Sequence, residues 1–179
     1  MAQPSPELKA WASLPAWVRF VGIATCGLAL DLWTKWVAFK KLAGPRPHEV
    51  TVLPHVLYFS TTLNPGGVFG LGPGHPALFI LVSLLALIFI TYVFVFSNAA
   101  QRILHVALGL ILAGALGNLY DRAFNGGQVR DFILLLPRFW PFDFNIADTM
   151  LCIGVPLLML CWTFQKQPAE QPAEPVQQV

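Results

Sequence analysis

Residues 103–122 read ILHVALGLILAGALGNLYDR, an apolar run that passes without a break into Asn118, Asp121 and Arg122. A helix that crosses a bilayer takes about 20 mostly apolar residues. The run 103–119 is short by that measure and interrupted by His105, yet it carries Gly109, Ala113 and Gly117 at every fourth position. Small residues at that spacing let two helix backbones approach closely. Three other runs are long enough to span: 17–39, 77–96 with no charge in it, and 146–164. The first is too long for a cleavable leader and ends on Asp31 and Lys35, so it reads as retained. The expected class is an all-α integral membrane protein with four transmembrane helices.

Composition agrees. Of 179 residues, 56% are hydrophobic and 11% charged, against about 25% charged in a soluble domain. A net charge of +2 is too small to suggest a nucleic-acid partner. Cys26, Cys152 and Cys161 all fall in apolar stretches and read as small buried residues, with neither a disulfide framework nor metal spacing. The expected organisation is a polar lead at 1–16, a membrane domain at 17–165 and a disordered tail at 166–179 rich in Gln, Pro, Ala and Glu. The loop 40–76 is rich in Pro and Gly, with strands expected at 50–53 and 55–59. Residues 97–102 form a tight turn, and 120–145 form a second long loop.

Alternating spans place the end of the first, the start of the second, the end of the third and the start of the fourth on one face. That face receives Asp31, Lys35, Asn64, Asn118, Asp121, Arg122, Asp131, Asp143, Asn145 and Asp148. Four of these aspartates lie within 121–148, while no glutamate occurs between Val50 and Ala169. Carboxylates at membrane depth must be hydrated, paired or neutralised, so this face is where chemistry is expected. Counting Lys and Arg on the two faces does not orient the chain.

Asp31 and Lys35 are four apart on a helix and can pair, with Lys35 reaching outward. Asn145 reads as a helix N-cap and Asp148 as the third helical residue, where free amides and the dipole favour a carboxylate. Asp131 follows a Gly126-Gly127 turn in a short extended segment. Two carboxylates meeting across a cleft keep one proton between them, and the pair can then activate water and protonate a leaving amine. Position does not choose Asp131 and Asp148 over Asp121 and Asp143. There is no Gly-x-Ser-x-Gly and no His-Glu-x-x-His, and the histidines are scattered. A small proton- or ion-coupled transporter is the alternative, but that would need polar groups through the midplane. A non-catalytic binding or assembly subunit is a third reading.

Five motifs, in order at the ends of the four spans, resemble the bacterial lipoprotein signal peptidases (signal peptidase II). They are Asp31-x-x-Thr34-Lys35, Asn64-x-Gly66-x-x-Phe69-Gly70, Gly114-x-x-Gly117-Asn118-Leu119-x-Asp121-Arg122, Val129-x-Asp131-Phe132, and Phe144-Asn145-x-Ala147-Asp148. The resemblance implies an aspartic endopeptidase, without metal or cofactor, that cuts diacylated prolipoproteins just before the lipidated cysteine. It implies Asp131 and Asp148 as the catalytic pair. Asp31, Lys35, Asn64, Gly66, Asn118, Arg122 and Asn145 would position the substrate or the pair, and Asp121 would be a structural partner of Arg122. Asp143 matches no motif position. The resemblance also implies a bacterial inner-membrane protein, a monomer in contact with membrane lipids, with both termini cytoplasmic and its site facing the periplasm. It further implies a β-rich cradle at 40–75 and a flap within 120–145. Pro65, Gly67, Val68 and Arg130 depart from the family pattern.

Overall fold

The computed structural model describes residues 8–42, 49–66 and 75–164. Gly67, Val68, Phe69 and Gly70 of the Asn64 motif, and the expected tail at 166–179, lie outside them. Four helices are long and apolar enough to cross a membrane: α1 (Leu14–Leu42), α2 (Pro76–Phe96), α3 (Arg102–Phe124) and α4 (Ile146–Thr163). Strands β1 (Val50–Leu53), β2 (Leu57–Asn64), β3 (Val129–Leu135) and β4 (Asp143–Phe144) form one antiparallel sheet in the order β1-β2-β3-β4. The sheet draws on both long loops, β1 and β2 from the first and β3 and β4 from the second. This leaves 136–142 as the excursion between β3 and β4.

α3 is the central post. In its most apolar window 61% of residues are buried, against 11% in α2, which presents Leu81, Leu85, Ile88 and Phe89 outward. The small residues explain how α3 sits so close to two neighbours at once. A Cβ at Gly109 would lie 3.0 Å from Cβ of Ile23, and one at Gly117 would collide with the Asp31 carboxylate, both on α1. A Cβ at Gly114 would lie 2.5 Å from the Ala147 carbonyl on α4. The buried residues of α1 follow one helical stripe, Ala16, Phe20, Ala24, Asp31 and Lys35, so the ion-pairing residues continue the face that packs on α3. α3 runs on past Leu119 to Phe124, which carries Asp121 and Arg122 into its last turn.

At the opposite end the chain lead and the α2–α3 turn close on each other. Lys9 bridges Asn98, and the Ala10 N–H donates to the Ser97 carbonyl at 2.9 Å. After α3, Gly126 and Gly127 take φ of +63° and +84°. That left-handed backbone is cheap for glycine and turns the chain straight into β3.

Candidate active site

Asp131 arrives on β3. The β2–β3 register sets it opposite Thr62, with a ladder irregularity between Phe59 and Thr62. Asn64, two residues along β2, then donates its side-chain amide to Asp131 Oδ2 at 3.0 Å. β4 pairs Phe144 with Ile133, so the chain enters α4 beside Asp131. The expected cap is present in full. Asn145 Oδ1 accepts from the Asp148 N–H at 3.0 Å, and Asp148 Oδ2 accepts from the Asn145 N–H at 3.2 Å. The remaining amide of Asn145 donates to Asp131 Oδ1 at 2.6 Å and to Asn118 Oδ1 at 3.2 Å. Asn118, on α3, donates to Asp148 Oδ1 at 2.8 Å. Asn145 thus caps a helix with its side-chain oxygen and joins the two carboxylates, through its side-chain amide to Asp131 and its backbone N–H to Asp148, and each of their four oxygens meets an N–H.

Asp131 is 1% exposed. Burial pushes its carboxyl up to about 7, and the charge of Asp148 adds to the push, while the Asn64 and Asn145 amides oppose it. Asp131 is therefore a carboxyl able to hold or release a proton near neutral pH.

Behind the pair lies a buried ion cluster. Lys35 Nζ contacts Asp31 Oδ2 at 2.8 Å, Asp121 Oδ2 at 3.1 Å and Asn118 Oδ1 at 3.0 Å. Three acceptors match its three donors, which is why Lys35 is fully buried and does not reach outward as expected. Asp31 Oδ1 accepts from the Ala147 N–H at 2.8 Å, tying α1 to the start of α4. Asp121 does not pair with Arg122. Its partners are Lys35 and Arg130, whose guanidinium lies 2.6 Å from Asp121 Oδ1. Neighbouring helical residues point to different sides, so Asp121 faces α1 and β3 while Arg122 turns the other way. Arg122 donates to the Gly66 carbonyl at 2.9 Å and sits over the Phe79 ring at 5.1 Å. Its Nε has no partner among the described residues. Gly66 takes part through its backbone, and its N–H also bonds Asn64 Oδ1 at 2.9 Å.

A cleft of about 790 Å³ opens here between α2, α3, α4 and the sheet. Asn64, Asn118, Arg122 and Asp148 give it polar groups, and Phe79, Val82 and Leu151 give it an apolar wall. Two features were not foreseen. Arg130, read only as a departure, clamps Asp121. Asp143, set aside as a bystander, also lines the cleft, with Ser60 Oγ at 3.0 Å from one of its oxygens and Thr62 Oγ1 bonded to the other. The expected strand at 55–59 stopped short of Ser60 and Thr62, so no local signal pointed to the second.

Several known proteins are similar to this chain. The lipoprotein signal peptidase of Rhodopirellula baltica is 35% identical over 175 residues, covering 88% of this chain and 78% of its own. That of Bacillus subtilis is 36% identical over 140 residues, covering 77% of this chain and 88% of its own. A bacterial membrane enzyme structure obtained by the in meso method at 2.3 Å resolution superposes with a TM-score of 0.74 at 30% identity, covering 86% of this chain and 93% of that one. The family model described as signal peptidase (SPase) II matches residues 23–164, and the chain belongs to that family.

Proposed function

We propose that this protein is a multi-pass membrane aspartic endopeptidase that removes the signal peptide from diacylglyceryl-prolipoproteins by cutting immediately before the lipidated cysteine. The observation that carries the reading is the Asn145 bridge, which ties the carboxylates of Asp131 and Asp148, from different elements, beside an otherwise apolar cleft that Asp148 lines. One carboxylate accepts a proton from water as its oxygen attacks the scissile carbonyl. The other donates its proton to the carbonyl oxygen, and the leaving nitrogen is protonated as the tetrahedral intermediate collapses. Asp131 and Asp148 are that pair. Asn64, Asn118 and Asn145 orient it, while Arg122, held by the Gly66 carbonyl, faces the substrate chain.

The wall of Phe79, Val82 and Leu151 fits acyl chains and an apolar signal helix arriving sideways from the bilayer. Residues 17–165 form the peptidase unit. In a bacterial inner membrane the site faces the periplasm, with the lead and the tail at 166–179 in the cytoplasm, and the protein acts as a monomer among lipids. The distribution of polar groups speaks against the transporter alternative. α2 carries no charge, and the buried carboxylates gather at one end of the bundle.

The test is a purified-protein assay with a prolipoprotein in diacylated and unlipidated forms. Mass spectrometry of the products should show a new N-terminus at the lipidated cysteine from the first form only. Equal cleavage of both forms, or a cut elsewhere, would refute the substrate assignment.

A further inference from the structure

Arg130 stands beside Asp131 in the chain, yet its side chain turns to the other face of β3. Its guanidinium reaches Asp121 Oδ1 through Nε at 3.0 Å and through its terminal nitrogen at 2.6 Å, and its backbone N–H donates to Asp121 Oδ2 at 3.0 Å. Three N–H donors from one residue therefore hold a carboxylate that is fully buried. The fourth contact of that carboxylate is Lys35, whose other two contacts are Asp31 and Asn118. Asn118 in turn donates to Asp148. Asp31 and Asp121 are thus balanced by Lys35 and Arg130 in a closed, neutral group directly behind the reacting pair.

We propose that Arg130 is a positioning residue: by clamping Asp121 it leaves Lys35 free to hold Asn118, and so Asp148, in place, and it keeps surplus negative charge away from the carboxylate pair. The proposal rests on Asp131 and Asp148 being that pair. The other charges around them are few. Arg122 comes from α3, and Asp143, half-buried on β4, is held by Ser60 and Thr62. β2 offers the neutral Asn64, α2 carries no charged residue, and α4 adds only Asp148. Without the guanidinium, Lys35 alone would face two buried carboxylates. It would be drawn toward Asp121, and the net negative charge left behind would hinder ionisation of the pair.

The experiment compares pH–rate profiles of the full chain in vesicles for the wild type, Arg130→Gln, Arg130→Lys and the double variant Asp121→Asn/Arg130→Gln. Arg130→Gln should lower turnover about tenfold and move the acidic limb up by about half to one pH unit, the scale expected for one nearby charge. Arg130→Lys keeps the charge and should keep the limb while losing part of the rate, because it lacks the two-pronged guanidinium. The double variant removes both charges and should return the limb toward the wild-type position. A wild-type limb in Arg130→Gln, or a shift that survives in the double variant, would overturn the proposal. Infrared difference titration of the carboxyl bands on the same proteins reads the same shift without turnover. If the wild type fails to cleave, the functional reading falls, and the infrared titration still decides the role of Arg130.

Discussion

The two ends of α3 both bury polar side chains in a membrane protein, and they do so in opposite ways. At the start, His105 is fully buried between Ser97 and Arg19, with Nε2 at 3.0 Å from Ser97 Oγ and Nδ1 at 3.3 Å from an Arg19 nitrogen. Arginine only donates, so Nδ1 accepts. The Ser97 hydroxyl proton goes to the Phe94 carbonyl at 2.7 Å, so Nε2 bears the ring proton. The His105 ring and the Ser97 hydroxyl are fully paired there, in a joint between the lead, α1, α2 and α3, with Arg19 Nε left without a partner among the described residues. At the far end, Asn118, Asp121 and Arg122 belong to a group with more carboxylates than cations, opening on a cleft. Burial of polar groups therefore does not by itself mark a site in this bundle. Surplus like charge at an opening does, because only such a pair must share a proton.

The largest expected effect is at the carboxylates. Asp148→Asn should lower turnover by at least about a thousandfold while membrane insertion is retained, since Asn can still accept the Asn145 N–H. Next comes Asn145→Ser, which separates the two jobs of that residue. Serine is a good N-cap, so helix stability should change by no more than about 1 kcal/mol. The amide that reaches Asp131 and Asn118 would be lost, and turnover should fall about a hundredfold. An equal loss of folding and activity would reduce Asn145 to a cap.

A smaller effect concerns stability. The Asp131 carboxyl rises from an ordinary value of 3.8 to about 7 on folding. Between those values the folded state binds more protons than the unfolded one, so this group's contribution makes stability fall as pH rises toward about 7. Asp131→Asn removes that contribution, and its Tm should fall less between about pH 5 and pH 7 than that of the wild type. A steeper fall would contradict the buried, proton-holding carboxyl. Smallest of all is Asp143→Asn, where an amide oxygen can still accept from a hydroxyl and activity should drop less than about tenfold, the scale of a single hydrogen bond.

Features that depend on local spacing were legible in the sequence: four apolar runs, the Asp31–Lys35 pair, the small-residue stripe on α3 and the Asn145–Asp148 cap. Each lies within a single helix and its caps. The contacts that assemble the site were not. Asn64 reaches Asp131 only through the β2–β3 register, which shifts between Phe59 and Thr62. Ala147 finds Asp31 across 116 positions of chain. The expected Asp121–Arg122 partnership failed because adjacency in sequence is not adjacency on a helix. The choice of Asp131 and Asp148 among four aspartates came from the family motifs. The proposal that they act as a pair draws on the contacts both make with Asn145.

The most direct measurement sets the two ends of α3 against each other in one assay. Signal-peptide release from a diacylated prolipoprotein would be timed in the same vesicles for Asp131→Asn and for His105→Gln. The account predicts turnover reduced at least about a thousandfold in the first, and near-normal turnover with a lowered Tm in the second. Normal turnover in Asp131→Asn, or an equal collapse of turnover in a folded His105→Gln protein, would contradict it.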